Sequence, residues 1–158
     1  NLVVRIILDF LEQKIPGILG DGSKLWNYAF ITDVVKGHLL AMEKGKVGQK
    51  YILGGENVSM ENFFKLLEAL SGIKAPKRHV PFWIAKMSAR YDELIARISK
   101  KTPKHTTSTM EIYKHDWAFS SEKAEQELGY THIPLKEGLE RTLDWIYKTL
   151  GSNRTKTK

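Results

Sequence analysis

The six tyrosines are the first side chains to weigh as proton donors. A phenol passes a proton at neutral pH when a neighbouring ammonium lowers its pKa, and a lysine four residues on supplies one. The residues four positions after the tyrosines are Thr32, Gly55, Ile95, Trp117, Pro134 and Gly151, so the chain holds no Tyr-x-x-x-Lys pair. His115 and Asp116 set an imidazole beside a carboxylate, a general-base combination. Adjacent residues seldom face one site and no nucleophile accompanies them, so His115 reads as structural. The five histidines show no His-x-x-x-His spacing and there is no cysteine, which argues against a metal centre.

Gly17-Ile18-Leu19-Gly20-Asp21-Gly22 looks like half of a phosphate-binding fingerprint. Such a loop works only when a helix N-terminus follows to receive the phosphate. Ser23 to Tyr28 follows instead, reading as a turn into a strand, so Gly-Asp-Gly is expected to be a plain turn.

The net charge of +7 over 158 residues raises the question of nucleic acid. Three of those charges, Arg154, Lys156 and Lys158, belong to the polar tail 152–158, which is expected to be disordered. Lys100, Lys101 and Lys104 form the densest remaining run, without interleaved aromatics, so no nucleic-acid partner is expected. A hydrophobic content of 42% and the absence of any eighteen-residue apolar run indicate a folded protein without a spanning helix. The lack of cysteine fits a cytoplasmic setting. The chain opens on Asn1 rather than Met and runs straight into an apolar segment, so it reads as a piece of a longer polypeptide.

Hydrophobic spacing predicts a helix over 2–14, an extended piece over 16–19, and a strand over 28–31. Asp33 is a plausible N-cap for a helix over 34–43, with Val34, Val35, His38, Leu39 and Met42 on one stripe. Tyr51 to Leu53 reads as a short buried strand. Ser59 would cap a helix ending before Gly72, and Pro81 opens a long one. In that long helix Trp83, Met87 and Tyr91 read as core rather than pocket. The same broad apolar face, edged by Lys86, Arg90 and Arg97, would also let the helix lie on a membrane. Ser120 or Ser121 would cap a helix over 123–128, and 135–150 would close the set with Leu139, Leu143, Ile146 and Leu150 inward and Gly151 as its stop.

The run Gln49-Lys50-Tyr51-Ile52-Leu53-Gly54-Gly55-Glu56-Asn57-Val58-Ser59, with Phe30-Ile31-Thr32-Asp33-Val34 before it and Lys123-Ala124-Glu125-Gln126-Glu127-Leu128-Gly129-Tyr130 after it, resembles the C-terminal half of the extended short-chain dehydrogenases/reductases. The dihydroflavonol-reductase-like and farnesol-dehydrogenase-like branch looks closest. The resemblance implies an α/β fold, namely the C-terminal part of a doubly wound, Rossmann-type NAD(P)-binding fold plus a mainly helical substrate lobe, spanning 1–151. Three short strands cannot close a sheet, so an exposed apolar edge and aggregation of the isolated piece are expected. The cofactor, NAD or NADP, and the Tyr-x-x-x-Lys machinery would lie mainly in preceding sequence.

The resemblance also suggests where substrate would touch. Asn1 and Leu2 resemble the family's substrate-contacting Asn-Leu pair, and Gly17 and Leu19 match its nucleobase-side strand. Nucleotide-sugar epimerases carry a diphosphate-clamping arginine seven residues before the aspartate matching Asp33; here that position is Trp26. A second basic clamp falls near Met110, and no arginine occurs anywhere over 102–132. Trp26 either shifts the ligand towards a small apolar molecule or packs within the lobe. The implied activity is hydride transfer between nicotinamide and a carbonyl or alcohol carbon of such a molecule, in a protein that would also form homodimers. Nucleotide-sugar epimerase or dehydratase action and a non-catalytic binding or scaffold module are the alternatives.

Overall fold

A computed structural model of the protein describes residues 2–99, 102 and 106–154, with side chains followed to residue 149. Asn1, Lys100, Lys101, Lys104 and the last four residues of the expected tail lie outside the described residues. In chain order the elements are α1 (Leu2–Leu11), β1 (Ile18–Leu19), β2 (Leu25–Tyr28), α2 (Ile31–Lys44), β3 (Glu56–Ser59), α3 (Met60–Ser71), β4 (His79–Val80), α4 (Phe82–Ser99), α5 (Thr107–Ile112), α6 (Glu122–Leu128) and α7 (Leu135–Arg154). Among the described residues the strands form two pairs, β1 with β4 and β2 with β3. The chain divides into two compact units, one of Asn1–Trp26, Ser59–Glu68 and Ile73–Trp117, the other of Asn27–Val58, Ala69–Gly72 and Ala118–Lys158.

In the first unit, α1 buries Ile7 and Phe10, and Phe10 stacks on Phe64 of α3 at 5.7 Å. Gln13 ends α1 in the left-handed region at φ 55°, three residues before Pro16. β1 and β4 run parallel with Ile18 opposite His79 and Leu19 opposite Val80. The Gly-Asp-Gly stretch is a turn, as expected. Asp21 accepts hydrogen bonds from the Ser23 amide and hydroxyl at 3.0 and 2.7 Å, flanked by Gly20 and Gly22 at positive φ. A strand follows it rather than a helix.

In the second unit, Ala124 and Leu128 of α6 and Tyr130 are buried together, with Leu40, Ala41, Tyr51 and Leu53 packed against them. Gly129 closes α6 at φ 75°. The glycine pair of the long motif has a packing reason. A Cβ on Gly55 would stand 2.0 Å from the Tyr28 carbonyl, and one on Gly54 would stand 2.7 Å from Asn27 Oδ1. The peptide there is tied down from three directions. Asn27 Oδ1 accepts from the Gly55 amide (2.9 Å), Ser121 Oγ accepts from the Gly54 amide (2.9 Å), and the Tyr130 hydroxyl donates to the Gly54 carbonyl (2.8 Å). Leu139, Leu143 and Ile146 of α7 are buried as expected, Leu135 is buried too, and the side chain of Leu150 lies outside the described residues.

Several expectations are corrected. The strand expected over 28–31 is β2, three residues earlier, because Phe30 is the extended residue before α2 and Ile31 is already helical. Asp33 is therefore not an N-cap. It lies in the first turn, buried, and accepts from the Ile133 amide at 2.9 Å. Tyr51–Leu53 forms no strand; the pairing residues are Glu56–Ser59, and Leu53 instead packs against Gly37. Ser121 stands at the cap of α6 but spends its hydroxyl on Gly54, while Ser120 Oγ accepts from the Glu122 amide at 3.3 Å. Gly151 does not stop α7, which continues to Arg154, so the first three residues of the expected tail are helical.

Two apolar stripes face the wrong way. On α2 the buried positions are Asp33 and Gly37, while Val35, Leu39 and Met42 are exposed. On α4 only Ala89 and Ala96 are buried, and Trp83, Met87 and Tyr91, expected in the core, are exposed. On α4 the small side chains face the unit, and on α2 Gly37 does so beside Asp33, Leu40 and Ala41.

Candidate functional site

Every described candidate residue belongs to the first unit, and an aromatic wall on β2 is its most developed feature. The start of β2 is pinned from the segment after α5. Asp116 accepts from the Leu25 amide at 2.8 Å and from Lys24 Nζ at 3.3 Å, and the Trp117 amide donates to the Leu25 carbonyl at 2.7 Å. The Leu25 N–H and then Lys24 hold the Asp116 carboxyl below the usual carboxylate range. Asp116 is thus a strand anchor rather than half of a His-Asp base pair.

This register brings Trp26 into a bridge with Trp117. Trp26 is 8% exposed and lies against Tyr113, with ring centroids 4.8 Å apart and planes inclined by 26°. Tyr113 is the residue after α5, held there because Thr106 Oγ1 accepts from the Thr109 amide (3.2 Å) and Glu93 accepts from the Thr107 amide (2.8 Å). Burial, and secondarily the Asp9 carboxylate, push the Tyr113 phenol above its ordinary pKa, so it stays protonated at neutral pH. Met110, buried, lies one turn earlier on α5.

The indole N–H of Trp26 is buried and has no hydrogen-bond partner. A buried donor left unpaired costs about 1–3 kcal/mol, so such groups are few and call for an explanation. The indole is thus packed within its unit with the donor turned inward, and its phenol neighbour is neutral. Lys24 is paired with Asp116, and Lys86 and Lys114 are both paired with Glu111. The groove of about 270 Å³ lined by Lys86, Arg90, Glu93, Thr107, Ser108 and Glu111 is polar, and its carboxylates are engaged in ion pairing and in capping α5.

The remaining candidates sit elsewhere in the unit. Gly17 is required by strand spacing, since a Cβ there would come within 2.6 Å of the Arg78 carbonyl oxygen. Leu19 is half-buried on β1, Leu2 is exposed at the start of α1, and Asn1 is not among the described residues. The structure thus joins Trp26 and Met110 through α5 and Tyr113, and leaves Gly17 and Leu19 on a separate strand pair. Tyr113 and Asp9 were missed by sequence reasoning. The signal available was Tyr113 lying three residues after Met110, at the end of one short helix. Among the described residues no cluster of histidine and carboxylate groups could hold a metal.

No family profile matches the chain. A putative dihydroflavonol 4-reductase of Synechocystis is 31% identical over 146 residues, covering 90% of this chain and 42% of that protein. The 3beta-hydroxysteroid-dehydrogenase/decarboxylase isoform 1 of Arabidopsis thaliana is 30% identical over 173 residues, covering 99% and 39%. Among solved structures, gox2253 superposes with a TM-score of 0.71 at 31% identity, over 94% of this chain and 44% of that one. The UDP-glucuronic acid 4-epimerase of Bacillus cereus, solved with NAD, gives 0.60 at 26% identity over 91% and 36%. The chain is similar over most of its length to extended short-chain dehydrogenases/reductases of the dihydroflavonol-reductase, hydroxysteroid-dehydrogenase and epimerase kinds, and its fold matches part of their Rossmann-type architecture. It spans about two fifths of the length of the curated relatives it matches.

Proposed function

We propose that this chain is the substrate-binding portion of an NAD(P)-dependent oxidoreductase acting on a carbonyl or alcohol carbon of a small apolar molecule. The observation that carries the reading is Trp26, buried and stacked on Tyr113 with a free indole N–H, at the position where a diphosphate-binding enzyme needs a cation. An apolar ligand with one hydrogen-bond acceptor suits that wall, and a nucleoside diphosphate does not. The hydride comes from nicotinamide and the proton from a donor outside these residues, because no tyrosine here has a lysine four positions on. The relatives named for dihydroflavonol and hydroxysteroid substrates favour the same chemical class. In this reading residues 1–151 form the lobe and the last strands of the sheet.

The test uses the complete polypeptide carrying this chain, offered NADH or NADPH with farnesal, dihydroquercetin and UDP-glucose. Nicotinamide oxidation with an apolar carbonyl compound is expected. Turnover of UDP-glucose without turnover of either apolar compound would overturn the reading. So would tight NAD(P)H binding and turnover by residues 1–158 alone.

A further inference from the structure

The outward face of α4 is left uncovered by its own unit and is not used by the proposed chemistry. Trp83, Ile84, Met87, Tyr91, Leu94, Ile95 and Ile98 are between 42% and 77% exposed, all in one helix of 18 residues. At 3.6 residues per turn they fall in one sector, opposite the buried Ala89 and Ala96. One edge of the sector carries Arg90 and Arg97, both exposed; the other carries Ser88, Asp92 and Ser99. Soluble surfaces rarely keep so many large apolar side chains contiguous.

We propose that this face is a membrane-docking surface, on which α4 lies in the plane of an anionic bilayer with the Trp83–Ile98 stripe among the acyl chains. The charge distribution selects this occupant. Arginines along the stripe edge reach headgroup phosphates while their stems cover apolar surface. Trp83 and Tyr91 suit the interfacial layer, where an aromatic ring is buried and its N–H or O–H stays wet. The attachment is peripheral, because no helix among the described residues is long and apolar enough to cross a membrane.

The test is flotation of the complete polypeptide carrying this chain with vesicles of phosphatidylcholine alone, or of phosphatidylcholine with phosphatidylglycerol in about equal parts. Binding to the anionic vesicles is expected, weakened on going from about 0.05 M to about 0.5 M NaCl. Brominated lipid should quench tryptophan emission, and Trp83→Phe should remove most of that quenching while binding persists. Met87→Glu with Leu94→Glu should weaken partitioning by about tenfold or more. Arg90→Gln with Arg97→Gln should weaken it on anionic vesicles only. These side chains are exposed, so an unchanged circular dichroism spectrum certifies each variant. No flotation, or equal flotation of the glutamate variant, would overturn the proposal. A concentration-dependent dimer abolished by the glutamate variant, without vesicle binding, would overturn it in favour of a second copy.

Discussion

Trp26→Phe separates a ligand wall from an ordinary core residue, because the two roles predict opposite patterns. Losing the larger indole from a site 8% exposed removes packing of about 1–2 kcal/mol. The same change deletes the unpaired indole N–H, whose burial costs about 1–3 kcal/mol. The ring of Tyr113, 4.8 Å away, can still stack on phenylalanine. The two contributions nearly cancel, so stability measured by urea unfolding should change by less than about 1 kcal/mol. Binding should not be spared. If the N–H donates to a substrate acceptor, its loss removes about 0.5–1.5 kcal/mol, a roughly 2- to 12-fold weaker Kd for farnesol or dihydroquercetin in the complete protein. Trp26→Arg sharpens the contrast, since a guanidinium buried beside a neutral phenol should cost about 3–5 kcal/mol. A Trp26→Phe variant destabilised by more than about 3 kcal/mol, with ligand affinity unchanged, would refute the wall and make Trp26 core.

Tyr130→Phe leaves the Gly54 carbonyl without its 2.8 Å donor in a buried setting, and should lower the urea-unfolding free energy by about 1–3 kcal/mol. Gly37→Ala gains about 1 kcal/mol of helix propensity, yet its Cβ would meet Leu53 at 2.7 Å and Tyr130 at 3.0 Å. It should therefore destabilise, and Leu53→Ala in the same chain should recover part of the loss in thermal unfolding. The folded Asp116 carboxyl titrates below its unfolded value of about 3.9, so its stabilisation is present above that pH and is lost as pH falls through the folded value. Asp116→Asn should remove that contribution and flatten the acid limb between about pH 5 and about pH 2.

What the sequence made legible was set locally. Ser59 and Gly72 bracket α3 because a hydroxyl accepts from the first turn and only glycine sits easily at φ 73° beyond the last. Gly129 ends α6 for the same reason, and the α7 stripe is buried because its inward positions carry large side chains at helical spacing. What escaped was decided between distant residues. Asp33 looks like a cap in any ten-residue window, yet its carboxylate belongs to an amide 100 positions away. Tyr51–Leu53 is as apolar as a buried strand, but apolarity cannot say which residues find a ladder partner. The partner of Trp26 could not be read from spacing either, for Tyr113 reaches it only after α5 has been capped by Thr106 and Glu93.

The exposed helix faces carry the more general point. Periodicity shows that a helix has two unlike faces, and convention turns the larger apolar one inward. In α2 and α4 the inward face is the one with Gly37, or with Ala89 and Ala96. Close backbone approach gains contacts from every neighbouring residue, whereas a large side chain gains only its own. A helix with both a small-residue seam and a large apolar stripe can therefore satisfy two neighbours at once, the seam holding it to its own unit and the stripe left for something else. On α4 the arginines along one edge are what favours a bilayer in that place. The stripe of α2, with Lys36 beside it and no arginine, carries no comparable charge pattern, so the two faces should behave differently towards anionic vesicles.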